Sequence, residues 1–195
     1  MTAAGPPADP MNEKTAGIIR RVEEFISRKD DALAIPRDAG EFIHALLLAT
    51  RAKRALEIGT SYGYSGLWIA SALRRNGGIL VTIDMERRKH DVAAKYFADA
   101  ELADCVRLET GIALEVIERL EGHFDFVLVD ADKENCIRYV EAIEGKLSSR
   151  SIVLTDNTLT HAEQLADYLD WIRNHNAFKS ASIPIGNGME MSVKV

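Results

Sequence analysis

The 195-residue chain lacks the features that mark several classes of protein. It has only two cysteines, Cys105 and Cys136, whose separation fits neither a metal motif nor a disulfide framework, so we expect reduced thiols. No apolar run is long enough to cross a membrane, and no signal peptide opens the chain. The formal net charge is −6, which leaves no basic stripe for nucleic acid. These absences indicate a cytoplasmic protein with neither a nucleic-acid nor a membrane partner.

Composition also sets the domain organisation. Hydrophobic residues make up 47% of the chain, enough for the core of one globular domain. Residues 1–12 are rich in proline and alanine and predict a disordered tail. We therefore expect a single domain over residues 13–195.

Apolar periodicity predicts helices and strands in alternation over most of that domain. Two helices come first, over 13–28 and from Pro36 onward. Strict alternation then predicts parallel strands with right-handed crossovers, a doubly wound α/β sheet. The predicted strands are 55–58, 79–84, 106–109, 124–130 and 151–156, and the helices between and after them are 65–74, 89–100, 114–120, 135–147 and 161–174.

The carboxyl-terminal residues depart from this alternation. Two β-prone segments, 182–185 and 189–195, flank Gly186-Asn187-Gly188. Asn-Gly is the strongest short signal for a β-hairpin. We therefore expect an antiparallel pair of strands to close the sheet.

Two of the predicted strands end abruptly in acidic or amide residues. Asp130 follows one apolar run, and Asp156-Asn157 follows another. Because ligands bind at the carboxyl ends of parallel strands, which lie about 4.8 Å apart, these oxygens can converge on one point. Oxygen ligands without nearby histidine or cysteine suit Mg²⁺, Mn²⁺ or Ca²⁺. The pattern predicts a divalent-cation site.

Each of these residues also has a structural interpretation. Asp130 could cap the next helix. Lys133 could be a solvated residue at a helix start, and Asp156-Asn157 could form a simple turn. Their joint placement at one edge of the sheet favours a functional site.

The histidines divide into two groups. His161 closely follows the Asp156-Asn157 pair and could line an acceptor pocket. The others are expected on the surface of helices or loops: His44, His90, His123 and His175.

A glycine-containing loop follows the first strand, with the sequence Glu-Ile-Gly-Thr-Ser-Tyr-Gly-Tyr-Ser-Gly over residues 57–66. Glycine lets the backbone approach a ligand where a strand turns into a helix. The spacing matches neither the dinucleotide motif G-x-G-x-x-G nor a P-loop. Asp84 ends the next strand, where a carboxylate can accept both hydroxyls of a ribose. Ribose recognition without a pyrophosphate site indicates a nucleoside cofactor such as S-adenosylmethionine (SAM).

The order of these motifs resembles the class I methyltransferases. More narrowly, from about residue 33 onward, it is similar to the cation-dependent O-methyltransferases related to caffeoyl-CoA and catechol O-methyltransferases. The resemblance implies a Rossmann-like, seven-stranded sheet whose last strand is antiparallel, and it makes a homodimer plausible. It also implies that Lys133 is the catalytic base and that the metal ligands are Asp130, Asp156 and Asn157. Cofactor contacts are implied for Ile35, Glu57, Gly59, Ser61, Gly63, Ser65, Asp84, Ala113 and Asp130.

The expected activity is therefore SAM- and divalent-cation-dependent O-methylation of a small phenolic acceptor, a catechol or vicinal diol. The insertion that relatives carry after Asp-Asn-Thr-Leu is missing, and Thr160 with Glu163 has the form of a capping box that opens a helix. This predicts a more open acceptor pocket. Two alternatives stay open: a methyltransferase for another oxygen or nitrogen acceptor, and a non-catalytic SAM-binding protein. The missing G-x-G-x-x-G argues against a nicotinamide oxidoreductase.

Overall fold

The computed structural model describes residues 12–195. The predicted disordered tail lies outside the described residues, apart from Asn12. The Asn12 side chain accepts a hydrogen bond of 2.7 Å from the Thr15 N–H and so caps the first helix. Among residues 12–195, no helix combines the length and the apolar character needed to cross a bilayer.

A seven-stranded sheet organises the chain, with strand order β3-β2-β1-β4-β5-β7-β6. Strands β1 to β5 pair in parallel, and β7 runs antiparallel to both of its neighbours, β5 and β6. The predicted mostly parallel sheet with an antiparallel last strand is confirmed. The strands are β1 Arg54–Ile58, β2 Ile79–Asp84, β3 Val106–Thr110, β4 Phe124–Val129, β5 Leu147–Asp156, β6 Phe178–Ile183 and β7 Met189–Lys194.

Helices cover both faces of the sheet. The first face carries α1 to α4, which bury residues such as Ile19, Leu47 and Phe97. The opposite face carries α5 to α7. The helices are α1 Glu13–Ile26, α2 Arg37–Thr50, α3 Tyr64–Asn76, α4 Arg87–Asp99, α5 Ala113–Arg119, α6 Cys136–Glu144 and α7 Ala166–Asn174, with short 3₁₀ turns at Ala103–Cys105 and Lys133–Asn135.

The segment after β5 differs from its prediction. The helix predicted over 161–174 begins only at Ala166, and residues 158–165 form turns. The backbone N–H groups of Thr158 and Leu159 donate to the carbonyls of Gly188 and Asn187, at 3.0 and 2.9 Å. These bonds tie the segment to the loop between β6 and β7, so the capping-box prediction for Thr160 and Glu163 is wrong.

The predicted hairpin is present, but its first strand is displaced. β6 spans Phe178–Ile183 rather than 182–185, and residues 184–188 form the loop. Strand β6 lacks the continuous run of buried residues that marks central strands such as β1 and β4, because it lies at the sheet edge. The turn signal at Asn187-Gly188 and the β-prone segment 189–195 correctly located the turn and the second strand, β7.

A buried ion pair attaches α7 to the antiparallel strand. Arg173 donates from Nε and Nη2 to the two carboxylate oxygens of Glu190, each at 2.8 Å. The Glu190 side chain is 1% exposed, whereas that of Arg173 is 47% exposed. Burial alone would raise the pKa of Glu190, but hydrogen bonds from Arg173 and Ser182 outweigh it and lower the pKa.

We predict that Arg173→Ala lowers the free energy of unfolding by about 3 kcal/mol at neutral pH, because it leaves a buried charge unpaired. The pKa of Glu190 is lower in the folded protein than the ordinary glutamate value of about 4.3. Ionised Glu190 therefore stabilises the folded state above that value, and this stabilisation is lost as the pH falls through the folded-state pKa. The difference from wild type should therefore shrink in acid. Chemical denaturation near neutral and acidic pH measures it.

Arg21→Ala is the control, since it removes an ion pair with Asp99 whose side chains are 59% and 48% exposed. It should cost no more than about 1 kcal/mol. Equal losses in the two variants would contradict the assigned role of the buried pair.

Candidate active site

The carboxyl ends of β1 and β4 approach closely at Gly59. This residue has φ 107°, and a Cβ there would overlap the carbonyl oxygen of Asp130. The Asp130 N–H donates to the Ile58 carbonyl at 3.0 Å, which extends the pairing of the two strands by one bond. Only glycine satisfies both the conformation and the close approach. The glycine loop and the acid after β4 are thereby held side by side.

Asp84 joins the loop after β1 to the end of β2. Its Oδ2 accepts a 2.7 Å hydrogen bond from the Ser61 N–H, and its Oδ1 accepts one of 2.8 Å from the Glu86 N–H. Each carboxylate oxygen has a second lone pair available. The half-buried Asp84 carboxylate can therefore still accept hydrogen bonds from a ribose.

Gly63 completes the loop. It is the N-cap of α3, and its N–H donates to the Thr60 carbonyl at 2.9 Å. The predicted cofactor residues Gly59, Ser61, Gly63 and Asp84 thus come together at one end of the sheet.

Glu57 lies beneath this loop. It is fully buried, and the Thr82 hydroxyl donates to its Oε2 at 2.5 Å. Burial raises the pKa of Glu57 to about 7, while hydrogen bonds from Ser65 and Thr82 oppose the rise. Glu57 and the 6%-exposed Ser65 therefore support the loop from below.

The two remaining predicted cofactor residues lie on opposite sides of the loop. Ile35 is buried in the connection between α1 and α2. That connection is tied to the loop because the Tyr62 hydroxyl donates to Asp31 at 3.0 Å. Ala113 begins α5, just after Gly111, whose N–H donates to the Asp84 carbonyl at 3.0 Å. The ends of β1, β2 and β3 are therefore linked through Asp84.

The four residues predicted for metal binding and catalysis also converge. Lys133 Nζ donates to Asn157 Oδ1 at 2.5 Å and lies 3.4 Å from Asp130 Oδ1. The side chains of Lys133 and Asp130 are only 13% and 15% exposed. The ammonium group therefore already binds two of the oxygens predicted to bind a cation.

Asp156 is the most unusual member of this group. It is 1% exposed, and neither carboxylate oxygen has a hydrogen-bond partner of good geometry among the described residues. Burial, reinforced by the charge of Asp130, raises the pKa of Asp156 to about 6, although Asn157, Asn187 and Lys133 act in the opposite direction. Burial also raises the pKa of Asp130, with Lys133 opposing the shift. A buried carboxylate without partners is the arrangement that a cation would stabilise.

The donor set fits a hard divalent cation. Within residues 12–195, no three histidine, cysteine, aspartate or glutamate side chains are grouped as a metal centre. The converging set instead consists of two carboxylates and the Asn157 amide. Oxygen donors of this kind suit Mg²⁺, Mn²⁺ or Ca²⁺, which commonly complete their coordination with water or substrate oxygens.

The sequence alone allows a purely structural role for two of these residues: a helix cap for Asp130 and a turn for Asn157. The 3₁₀ turn after β4 has Asp132 at its N-cap and no side-chain cap, so Asp130 does not cap a helix. Asn157 does form a turn, because it has φ 69° and its carbonyl accepts the His161 N–H at 2.9 Å. Its side chain nevertheless faces Lys133, so the turn and the site use different atoms of the same residue.

Two histidines were wrongly predicted to lie on the surface. His44 and His90 are 6% and 3% exposed. His90 contacts the hydroxyls of two threonines from different strands. Thr60 lies in the loop after β1, and Thr110 is the last residue of β3. His161 is exposed at the rim, close enough to Asp130 to act electrostatically against the rise that burial causes in the pKa of that carboxyl. No local pattern indicated the buried position of His90, because its partners lie 30 and 20 residues away in the sequence.

A doubly wound sheet with a glycine loop after β1, an acid ending β2 and acids after β4 and at the end of β5 defines a Rossmann-like methyltransferase fold. Comparison with known proteins makes the class specific. The chain belongs to the O-methyltransferase family, whose profile matches residues 14–194.

Relatives and solved structures agree with this family. Caffeoyl-CoA O-methyltransferase 1 of Eucalyptus globulus is 29% identical over 181 residues, covering 81% of this chain and 73% of the relative. A catechol O-methyltransferase of Mycobacterium tuberculosis is 34% identical over 143 residues, covering 70% and 64%. The structure of the O-methyltransferase TomG from Streptomyces achromogenes, in complex with SAM, superposes with a TM-score of 0.79 at 26% identity and covers 94% of this chain and 90% of TomG.

We predict that Gly59→Ala destabilises the protein by more than about 1 kcal/mol, whereas the same change at a compatible site stabilises a protein slightly. The new methyl group would meet the Asp130 carbonyl in a backbone conformation that alanine disfavours. Thermal and chemical denaturation measure the loss. Gly145→Ala is the matched control, since φ is −65° and nothing lies within 4 Å of the added atom. If both variants were equally stable, the close approach would not constrain the site.

Proposed function

We propose that this O-methyltransferase transfers the methyl group of SAM to one hydroxyl of a small catechol or vicinal diol, with a divalent cation bound at Asp130, Asp156 and Asn157. The observation that carries the proposal is Asp156. Its buried carboxylate has no hydrogen-bond partner of good geometry among the described residues, and it lies beside a second acid, an amide oxygen and a lysine. A site that only stabilised the fold would have no use for an unpaired buried acid.

The cofactor would lie across the carboxyl ends of β1, β2 and β3. Asp84 would accept the ribose hydroxyls, and the backbone around Gly59 to Gly63 would contact the methionine part. Two exposed apolar side chains support a place for adenine near Ala113: Met85 and Ile112 are 71% and 51% exposed beside Asp84 and Ala113. An adenine ring would cover apolar surface that otherwise faces water.

The residues after β4 and β5 would position the acceptor. When bound, a divalent cation would supply Lewis-acid polarisation and a fixed template for two vicinal oxygens. Lys133 is held at the same point by Asn157 and Asp130. Its side chain is therefore placed to take the proton of the hydroxyl that attacks.

The chemical step is a direct displacement. The acceptor oxygen forms a bond to the methyl carbon while the carbon–sulfur bond breaks and its electron pair stays on sulfur. The hydroxyl proton goes to Lys133, which must first release a proton to solvent to act as the base, and the products are a methyl ether and S-adenosylhomocysteine. The chain contributes mainly alignment, because holding the two reactants in line can supply several kcal/mol.

The rim of the site suits a small aromatic acceptor. Leu159 is 63% exposed directly after the Asp156-Asn157 pair, and His161 lies near Asp130. Residues 158–165 form turns, so this segment places no helix over Leu159 and His161. An open rim of this kind favours small catechols over an acceptor that needs a covering lid. Small phenolic acceptors also agree with the names of the caffeoyl-CoA and catechol relatives.

We further expect residues 13–195 to act as one domain, the chain to function in the cytoplasm, and two copies to form a homodimer. No nucleic-acid or membrane partner is expected. Gel filtration with light scattering would measure the oligomeric state.

We predict that a chelator abolishes methyl transfer and leaves SAM binding largely intact, because the two sites use different residues. Labelled SAM, a catechol panel and added Mg²⁺, Mn²⁺ or Ca²⁺ measure transfer, and calorimetry measures SAM binding. Asp156→Asn should reduce transfer in a way that higher cation concentration partly restores. Asp84→Ala should weaken SAM binding instead.

Asp167→Asn, on the exposed side of α7, is the control and should change neither property. Transfer that survives complete removal of divalent cations would exclude the metal from the proposal. Tight SAM binding without product from any phenol would favour the non-catalytic alternative.

We predict that Lys133→Met lowers kcat by about 100-fold or more, the usual contribution of a positioned general base. The affinity for SAM should not change, because Lys133 contacts the acceptor side of the site. Steady-state kinetics on a catechol measure the effect. Lys179→Met, on the edge strand β6, is the control. Unchanged turnover in Lys133→Met would rule out the assigned base.

A further inference from the structure

A buried histidine connects two loops of the cofactor side of the site. His90 lies in the first turns of α4 and is 3% exposed. Its Nε2 lies 3.0 Å from the Thr60 hydroxyl, in the loop after β1. Its Nδ1 lies 2.8 Å from the hydroxyl of Thr110, the last residue of β3. The imidazole therefore spans from β1 to β3, on either side of β2.

The contact with Thr60 continues into the core. The Thr60 hydroxyl lies 2.5 Å from the Thr82 hydroxyl, which donates to Glu57 Oε2. Thr60 and Thr82 are 1% and 0% exposed. His90 is thus one end of a hydrogen-bonded chain that runs under the glycine loop to Glu57. Each hydroxyl in the chain has a partner on both sides.

The chemistry of histidine suits this position. Because the Thr82 hydroxyl donates its one proton to Glu57, Thr60 donates to Thr82, and the Nε2–H of His90 donates to Thr60. Nδ1 is then the acceptor for the Thr110 hydroxyl. Burial lowers the pKa of His90, which favours the neutral ring with one donor and one acceptor nitrogen.

We propose that His90 is a positioning residue for the cofactor: it fixes the loop after β1 relative to the loop after β3, so that both can contact one cofactor molecule. The proposal rests on the cofactor site described under the proposed function. Asp84 links the same loops on the ligand side, through Ser61 and Gly111. His90 links them a second time from a buried position.

The spacing of the strands explains why a second link is needed. Strands β1 and β3 are separated by β2 and so lie about 10 Å apart. Among the described residues, no backbone hydrogen bond joins the two loops directly. The backbone of each loop is bonded instead to the end of β2, at Ile83 or Asp84. Loss of the His90 bridge should let the two loops move apart. The affinity for the cofactor should then fall, because both loops must contact the same molecule.

The test compares variants that keep different parts of the bridge. The amide of Gln in His90→Gln can reach the position of Nε2, that of Asn in His90→Asn can reach Nδ1, and His90→Leu removes both contacts. Calorimetry well below the melting temperature should show SAM binding weakened roughly fivefold or more in His90→Leu, the loss expected for about one hydrogen bond. The two amide variants should lie between it and wild type.

Kinetics and a mutant cycle add readouts that a packing role would not move. The KM for SAM should rise in His90→Leu, while the KM for the acceptor stays unchanged. Thr60→Val and Thr110→Val should each weaken SAM binding on their own. In the His90→Leu background they should add nothing, because the bridge is already gone.

Ser192→Ala is the matched control. It removes the contact between the buried Ser192 hydroxyl and the partly exposed Ser180 hydroxyl, 2.8 Å apart, on the antiparallel side of the sheet. This variant should lose stability without losing SAM affinity. If His90→Leu does not fold, His90→Gln, His90→Asn and the two threonine variants carry the test.

The outcomes separate the two proposals. If wild type binds SAM and every His90 variant that folds binds it equally well, His90 is only a packing residue and the inference is wrong. Additive effects of His90→Leu and Thr110→Val would also contradict the bridge. If wild type itself binds no SAM, the proposed function fails and the inference fails with it.

Discussion

The contact between Gly59 and the carbonyl of Asp130 is the constraint on which the site depends. It brings the ends of β1 and β4 closer than any side chain would allow. The loop that begins at Gly59 carries the residues proposed to bind the cofactor, and the turn that begins at Asp130 carries those proposed for the metal and for catalysis. Methyl transfer needs donor and acceptor in van der Waals contact, so two sites built on neighbouring strands must meet without a gap. A backbone-to-backbone contact provides this with the least flexibility.

Burial of charge is the second consequence of this geometry. Glu57, Asp130 and Asp156 all lie at or beneath the junction, and burial raises the pKa of each. Ionising these acids destabilises the folded state, because neighbouring like charges and a surrounding of low polarity both disfavour the charged form. Glu57 is compensated by hydroxyl donors and Asp130 by Lys133. Among the described residues, neither oxygen of Asp156 has a hydrogen-bond partner of good geometry, which is why this residue argues most strongly for a bound cation.

The sequence predicted the parts of this structure that depend on local pattern. Apolar runs ending in Asp84, Asp130 and Asp156 located the central strands and their carboxyl ends, because buried parallel strands leave a clear periodic signal. The sequence also identified the residues that meet near Lys133. The remaining features depend on contacts between distant segments. His90 is buried because Thr60 and Thr110 meet it, and neither helix periodicity nor motif spacing contains that information.

The turns after β5 show the same limit in another form. Thr160 and Glu163 have the residue types of a helix start, yet the chain continues in turns to residue 165. The backbone of Thr158 and Leu159 instead pairs with the β6–β7 loop, and a Cβ on Gly188 would overlap Leu159. Tertiary backbone bonds here outweigh a local capping preference worth about 1 kcal/mol.

The preference for tertiary backbone bonds over a helix also shapes the side of the site where we propose that the acceptor binds. The same turns that lack a helix place Leu159 and His161 at the rim, and their bonds to the loop at Asn187 and Gly188 hold them there. The β6–β7 loop is held in turn by α2, because the Gly186 N–H donates to Asp38 at 3.2 Å. The rim is therefore fixed by three segments distant in sequence. An acceptor would meet a pre-formed edge, and its selectivity would depend on the shape of that edge rather than on the closure of a covering segment.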